Sequence, residues 1–298
     1  MRTLLRARIL SGIGWWSIAL ACLPLVARGA AGPVHGMWVW KTATVLEPAG
    51  GAEALRDFCT ANGVNEIYIS MSNKERGSQE GRVASLIELL HRSNMHVEAL
   101  LDSTDADEPG KPREKFLEHV RDIVRFNQKH SSSRFDGIHL DVEPHQREEN
   151  KGAGNLKFMA NLTETFRNVR TIAEADRMTV NADITTKMLK GDAQERRMLL
   201  TSVPRVTLMM YELSSPGDGK SAQSKAEKAR KLSGKYLEMA YAGLDDVQLA
   251  RMAIALRTPD YLELLPDMLK TLDAANQSDV HYLGWARHSY NDAVKVLQ

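Results

Sequence analysis

Eight short runs of β-type residues alternate with longer segments of helical periodicity, and no other feature of this chain restricts its fold as strongly. The runs are 36–40, 65–70, 96–102, 137–143, 178–184, 206–212, 251–257 and 280–285. Such alternation predicts parallel strands joined by crossover helices. Eight units favour a closed (β/α)8 TIM barrel of the α/β class over an open doubly wound sheet. No Gly-x-Gly-x-x-Gly follows the first run, which argues against a dinucleotide, and no cofactor is expected.

The intervening segments repeat apolar residues at spacings of three and four. In 82–93 these are Val83, Leu86, Ile87, Leu89 and Leu90. In 114–130 they are Phe116, Val120, Ile123, Val124 and Phe126, and in 155–175 Phe158, Met159, Leu162, Phe166, Val169 and Ile172. Helices are also expected over 261–275 and 289–297, and over 220–243 with a break near Gly234. Gly63, Gly243 and Gly284 are expected to punctuate element ends.

The first 31 residues read differently. Arg2, Arg6 and Arg8 precede an uncharged apolar stretch over 9–26, and Ala27, Gly29, Ala30 and Ala31 follow. Basic start, apolar run and small residues occur in the order of a secretory signal peptide. The expected location is therefore secreted or periplasmic. The alternative is a retained membrane anchor, because the apolar stretch is nearly long enough to span. Residues 32–298 then form one domain, close to the ~250 residues of a typical barrel. That part holds a single cysteine, Cys59, so no internal disulfide is expected. The chain is 43% hydrophobic with a net charge of +1, which permits a large core and does not suggest a nucleic-acid partner.

The most informative segment is Arg134-Phe135-Asp136-Gly137-Ile138-His139-Leu140-Asp141-Val142-Glu143-Pro144-His145. Residues two apart in a strand share a face. His139, Asp141 and Glu143 therefore point into a barrel, while Ile138, Leu140 and Val142 meet the helices. Three stacked ionisable groups make a poor core, and they serve a site at the C-terminal mouth, where barrel sites are built. The same alternation turns Trp38 and Trp40 inward as a possible sugar platform, with Tyr68, Ser70, Asn181 and Asp183. Arg257 ends the seventh run, either beside a carboxylate or a sugar hydroxyl or in a structural salt bridge. Several histidines lie near carboxylates, but no His-Glu-x-x-His or similar spacing is present, so no metal is expected.

Asp136-x-x-His139-x-Asp141-x-Glu143 resembles the Asp-x-x-Asp-x-Asp-x-Glu signature of family 18 glycoside hydrolases, with His139 in place of the inner aspartate. Met209-Met210-Tyr211-Glu212 is similar to the family's Met-x-Tyr-Asp. Trp285 near the end of the eighth run resembles the tryptophan which that family places under the sugar. The third run lacks the family's Ser-x-Gly-Gly. The resemblance implies that Glu143 is the general acid, that Asp141 and Tyr211 hold an acetamido group, and that Trp285 stacks on the sugar.

Independently of that resemblance, glycosidic cleavage needs an acid on the leaving oxygen and charge stabilisation at an oxocarbenium-like centre. A second carboxylate must act if the substrate lacks an acetamido group. Glu212 is the first choice, with Asp183 and Asp102 behind it. The expectation is an exported glycoside hydrolase acting on a carbohydrate. Its rivals are a non-catalytic carbohydrate-binding barrel and a metal-dependent hydrolase. A membrane partner is expected only if the N-terminal segment is retained.

Overall fold

The structure, a computed structural model, describes residues 32–151, 156–211, 222–245, 248–257 and 265–297. The expected signal segment and Glu212 lie outside the described residues. Eight parallel strands close in chain order into one barrel. They are β1 (Val34–Val39), β2 (Glu66–Ser70), β3 (His96–Ser103), β4 (Gly137–Val142), β5 (Thr179–Thr185), β6 (Arg205–Met209), β7 (Arg251–Arg257) and β8 (Tyr282–His288). β8 closes on β1, with Val34 opposite Gly284. All eight expected strands form and differ from the expectation only at their ends.

Strand alternation divides the side chains into two layers. Met37, Val39, Ile67, Ile69, Ile138, Leu140 and Val142 point outward into one continuous core against the helices. Burying each such side chain contributes about 1.5–3 kcal/mol. The helices Glu80–Arg92, Lys111–Lys129 and Met159–Ala175 supply the opposing face through residues such as Leu90, Val120 and Phe166. Cys59 is a free thiol in this layer, pushed up to about 12 by burial. No helix among the described residues is long and apolar enough to cross a membrane.

The inner layer is polar at its base. Arg205 is hydrogen-bonded to Glu66 and reaches Glu98 at 3.3 Å. Leaving one buried charge unpaired is costly, so the three stand or fall together. Gly137 starts β4 where nothing larger fits. A Cβ there would lie 2.4 Å from Thr179 Oγ1 and 2.8 Å from Glu98 Oε1.

Two expectations about the elements need correcting, and one helix forms that was not expected. Gly284 does not end the eighth strand but lies inside it, at φ +144°, where a Cβ would strike the Val34 carbonyl oxygen at 1.9 Å. The strand therefore continues through to His288. Helix Ala222–Tyr241 does not break at Gly234. That glycine is exposed and costs about 1 kcal/mol, while buried Ser233, Tyr236, Leu237 and Ala240 hold the helix in place. A further helix, Ala193–Ser202, starts at a capping box in which Asp192 accepts from the Glu195 amide and Glu195 accepts from the Asp192 amide.

Candidate active site

The C-terminal mouth of the barrel is a cavity of about 430 Å³ lined by Trp38, Trp40, Asp102, Asp141, Glu143, Asp183, Tyr211, Arg257 and His288, among others. Each comes from a strand end or the residues just beyond it. In β3 and β4, Asp102 lies opposite Asp141. In β4 and β5, His139 lies opposite Asn181. Asp141 and Asp183 each stand two residues further along, so three adjacent strands carry a carboxyl group at one level.

Below that level the polarity alternates in sign. His139 is fully buried, with Nε2 2.9 Å from Asp183 Oδ1 and Nδ1 3.2 Å from Glu98 Oε2. Burial opposes a charge on this imidazole, but Asp183 and Glu98 outweigh burial and lift it to about 9. As an imidazolium it donates from both nitrogens. Tyr68 stacks on it with ring centroids 3.7 Å apart, a face-on arrangement that also favours the cation. Trp38 meets both rings edge-on and donates its indole N–H to Asp183 Oδ2 at 3.3 Å.

The upper carboxyl groups are held in the opposite state. Burial, then the charges of Asp183 and Glu143, push Asp141 well above the usual carboxylate range. Asp141 is 8% exposed, and its Oδ1 has no hydrogen-bond partner. Glu143 is half-buried just beyond β4. Burial, Asp183 and Asp102 raise it to about 7, against a lowering hydrogen bond from Gln146. His145 Nε2 lies 3.5 Å away on its other side. A carboxyl group that holds its proton near neutral pH is what acid catalysis at this mouth requires.

The rim is aromatic. Trp40 donates its indole N–H to His288 Nε2 at 2.8 Å. That bond leaves the proton of a neutral imidazole on Nδ1, and burial lowers the His288 pKa. The Arg257 guanidinium lies over the Tyr211 ring, 5.9 Å from its centroid. Burial and nearby Asp183, Asp141 and Glu143 hold the Tyr211 phenol well above its ordinary pKa.

Of the residues expected at the site, Trp38, Trp40, Asp141, Glu143, Asp183, Tyr211 and Arg257 meet at the mouth. Tyr68, His139 and Asn181, expected to bind substrate, do not. They stand one layer lower on their strands and are fully buried, with Asn181 accepting from Thr207 Oγ1 at 3.1 Å. Trp285, expected to stack on a sugar, faces the other way. It stacks on His35 at 4.2 Å and donates to Asp273 Oδ2 at 3.2 Å in the outer layer. β8 runs three residues past Trp285, and alternation gives the mouth His288 instead. Glu98, Gln146 and His288 were not expected as site residues. His288 was detectable only by carrying the strand through Gly284.

Only Glu66, His96 and Glu98 bring three ligand-type atoms within 4.8 Å of one another among the described residues. Arg205 already supplies the cation there.

The molecule thus defined is a (β/α)8 barrel with an acidic, aromatic-rimmed mouth. No family model matches the sequence, and no curated protein matches it. Comparison with solved structures finds the same barrel in the PgaB (BpsB) glycoside hydrolase domain of Bordetella bronchiseptica. The two share 13% identity and a TM-score of 0.54, covering 89% of this chain and 96% of that one. The Group IV chitinase of Ostrinia furnacalis is 10% identical at a TM-score of 0.50, covering 76% of this chain and 66% of that one. D-psicose 3-epimerase of Clostridium cellulolyticum H10 is 12% identical at a TM-score of 0.50, covering 86% and 84%. The chain is therefore distantly similar in fold to (β/α)8-barrel glycoside hydrolases, chitinases among them. An epimerase of equal likeness marks how far fold alone reaches.

Proposed function

We propose that this protein is an exported glycoside hydrolase that cleaves a glycosidic bond at the barrel mouth, with Glu143 as general acid. The observation that carries this reading is the raised Glu143 carboxyl, at about 7, beside Asp183 in an aromatic-rimmed cavity. Glu143 protonates the departing oxygen as the glycosidic C–O bond breaks, and a water then adds to the anomeric carbon and returns a proton to the Glu143 carboxylate. Asp183, 2.9 Å from the His139 imidazole, faces the positive charge that develops at the anomeric carbon. Asp141 orients the substituent beside the scissile bond. Trp40 and Tyr211 offer ring faces to the sugar.

The test compares Glu143→Gln with wild type on glycosides of graded leaving-group acidity. Removal of a general acid typically costs about 10²–10⁴ in rate. The defect should shrink on the most acidic leaving groups, which depart without protonation. An equal defect on all of them would remove Glu143 as the acid. Glycan binding by both proteins with turnover by neither would leave a non-catalytic carbohydrate-binding barrel.

A further inference from the structure

We infer that Glu98, buried beneath the mouth, is a positioning residue of the reaction: it fixes a proton on His139 Nδ1, so that Asp183 rests on a cation rather than on a neutral imidazole. This rests on the glycosidase reading and adds a residue to it. Glu98 stands two positions before Leu100, which lies opposite His139 in the register of β3 and β4. It is fully buried and lines no part of the mouth cavity, so it meets no substrate and acts only through the imidazole. The charged and titratable groups around the pair are Glu66 and Tyr68 on β2, His96 on β3, Arg205 on β6, Asp183 on β5 and Asp141 on β4.

The two oxygens of Glu98 have separate tasks. Oε1 accepts from Thr179 Oγ1 at 3.2 Å and Arg205 Nη1 at 3.3 Å, with His96 Nε2 at 3.4 Å. A carboxylate oxygen has about two lone-pair sites, so these donors saturate Oε1 and pin the group. Among the described residues Oε2 meets only His139 Nδ1, at 3.2 Å. Burial opposes the charge on Glu98, but Arg205 and the hydrogen bonds of His139 and His96 hold it well below the usual carboxylate range. An ionised carboxylate only accepts, so Nδ1 carries the proton. Nε2 faces Asp183 Oδ1 at 2.9 Å, and a ring that donates from both nitrogens is an imidazolium. The part given to Asp183, facing positive charge at the anomeric carbon, is that of an anion, and a cation against it favours that form. Arg257, a cation on the mouth wall, lies over the Tyr211 ring instead.

Glu98→Gln tests this at nearly constant shape. The Gln oxygen stays with Arg205, and its amide N–H faces His139 Nδ1, which then accepts. The ring becomes neutral, keeps its Nε2–H on Asp183 and loses only the charge. Full-length protein carrying ¹⁵N-histidine is read by NMR, and the His139 signals are those missing from His139→Gln. Near neutral pH, wild type should show two protonated ring nitrogens and Glu98→Gln only Nε2. Glu98→Gln should also lower kcat at least about tenfold on the best glycoside, with KM little changed. Glu98→Asp keeps the charge and should recover the second proton and part of that rate. A single protonated nitrogen in wild type overturns the inference, and it does so even if the Gln variant fails to fold. Two protonated nitrogens in Glu98→Gln, a wild-type kcat in that variant, or an Asp variant no better than the Gln variant overturns it as well. Turnover of no glycoside by wild type would discard the glycosidase reading, while the proton count would still decide whether Glu98 holds the cation.

Discussion

His139 Nε2 lies 2.9 Å from Asp183 Oδ1 at the base of the mouth, and this contact holds an imidazolium beneath the carboxyl groups above it. Replacing His139 with Gln leaves Glu98 and Asp183 without their shared cation. Breaking a buried pair typically costs about 3–5 kcal/mol, and chemical denaturation should find a loss of that order. The pH dependence gives a second readout. The folded His139 titrates at about 9, above its ordinary 6.5. Its stabilisation is therefore complete below about pH 6.5 and is lost as pH rises through 9. That descent in the stability profile should disappear in His139→Gln. A variant with the wild-type profile would show that His139 is not the titrating cation.

The pH profile of catalysis should follow Glu143. A general acid must hold its proton, so kcat/KM should fall as pH rises through about 7. After burial, Asp183 and Asp102 are the main causes of the raised value. Asp183→Asn and Asp102→Asn should each remove a negative charge and move this limb to lower pH, whatever they do to the absolute rate. A limb that stays fixed in both variants would assign it to another group.

The readable parts of this architecture were those set by local periodicity. Eight β-type runs separated by 3.6-period segments specify a barrel, and the period of two in Ile138–Val142 separates the outer face from the inner. Asp141, Glu143 and Asp183 reach the mouth by that rule alone. What failed depended on distant partners. Glu98 is 41 residues from His139 and Asp183 is 44, so nothing near His139 in sequence marks it as a buried cation rather than a ligand contact. Gly284 looks like a terminator until Val34 is placed against it, and a strand read to end at Trp285 stops three residues short of His288, while Trp285 itself entered the site through the family resemblance. Helix Ala193–Ser202 was announced by its Asp192/Glu195 capping pair, a local signal that its weak apolar periodicity obscures.

Trp285 and Trp40, each expected to contact a sugar, should behave differently. Trp285 packs on His35 and bonds to Asp273 in the outer layer, so Trp285→Ala should cost about 3–5 kcal/mol of stability. Its folded fraction should keep the wild-type KM. Trp40 lines the mouth and fixes His288, so Trp40→Ala should raise KM with a smaller loss of stability. Denaturation curves and steady-state kinetics on the two variants decide between these assignments. A raised KM in Trp285→Ala would return that residue to the site.

Export makes a separate prediction from residues 1–31. If the arginine-led apolar segment is a cleaved signal, protein recovered from the native envelope or medium should begin near Ala30 or Gly32. N-terminal sequencing reads this directly, and an intact Met1 or Arg2 start would leave the anchor reading instead.

Chelation tests the chemistry most broadly, because it separates acid catalysis from its metal-dependent rival. Three mouth carboxyl groups on adjacent strands resemble a cation site in composition, but their oxygens do not meet the 4.8 Å spacing found at Glu66, His96 and Glu98. At that lower cluster Arg205 pairs with both glutamates, and a divalent ion would have to displace a buried guanidinium. Structural zinc and calcium sites hold their oxygen or nitrogen ligands at about 2.0–2.6 Å from the ion, so the ligands of one ion lie within about 5 Å of one another, a spacing the mouth carboxyl groups do not reach. Activity on the best substrate should therefore survive exhaustive treatment with EDTA, and melting temperature should not move. Loss of turnover that a divalent ion restores would transfer the chemistry to a metal. Glu143 and Asp183 would then be ligands rather than acid and charge stabiliser.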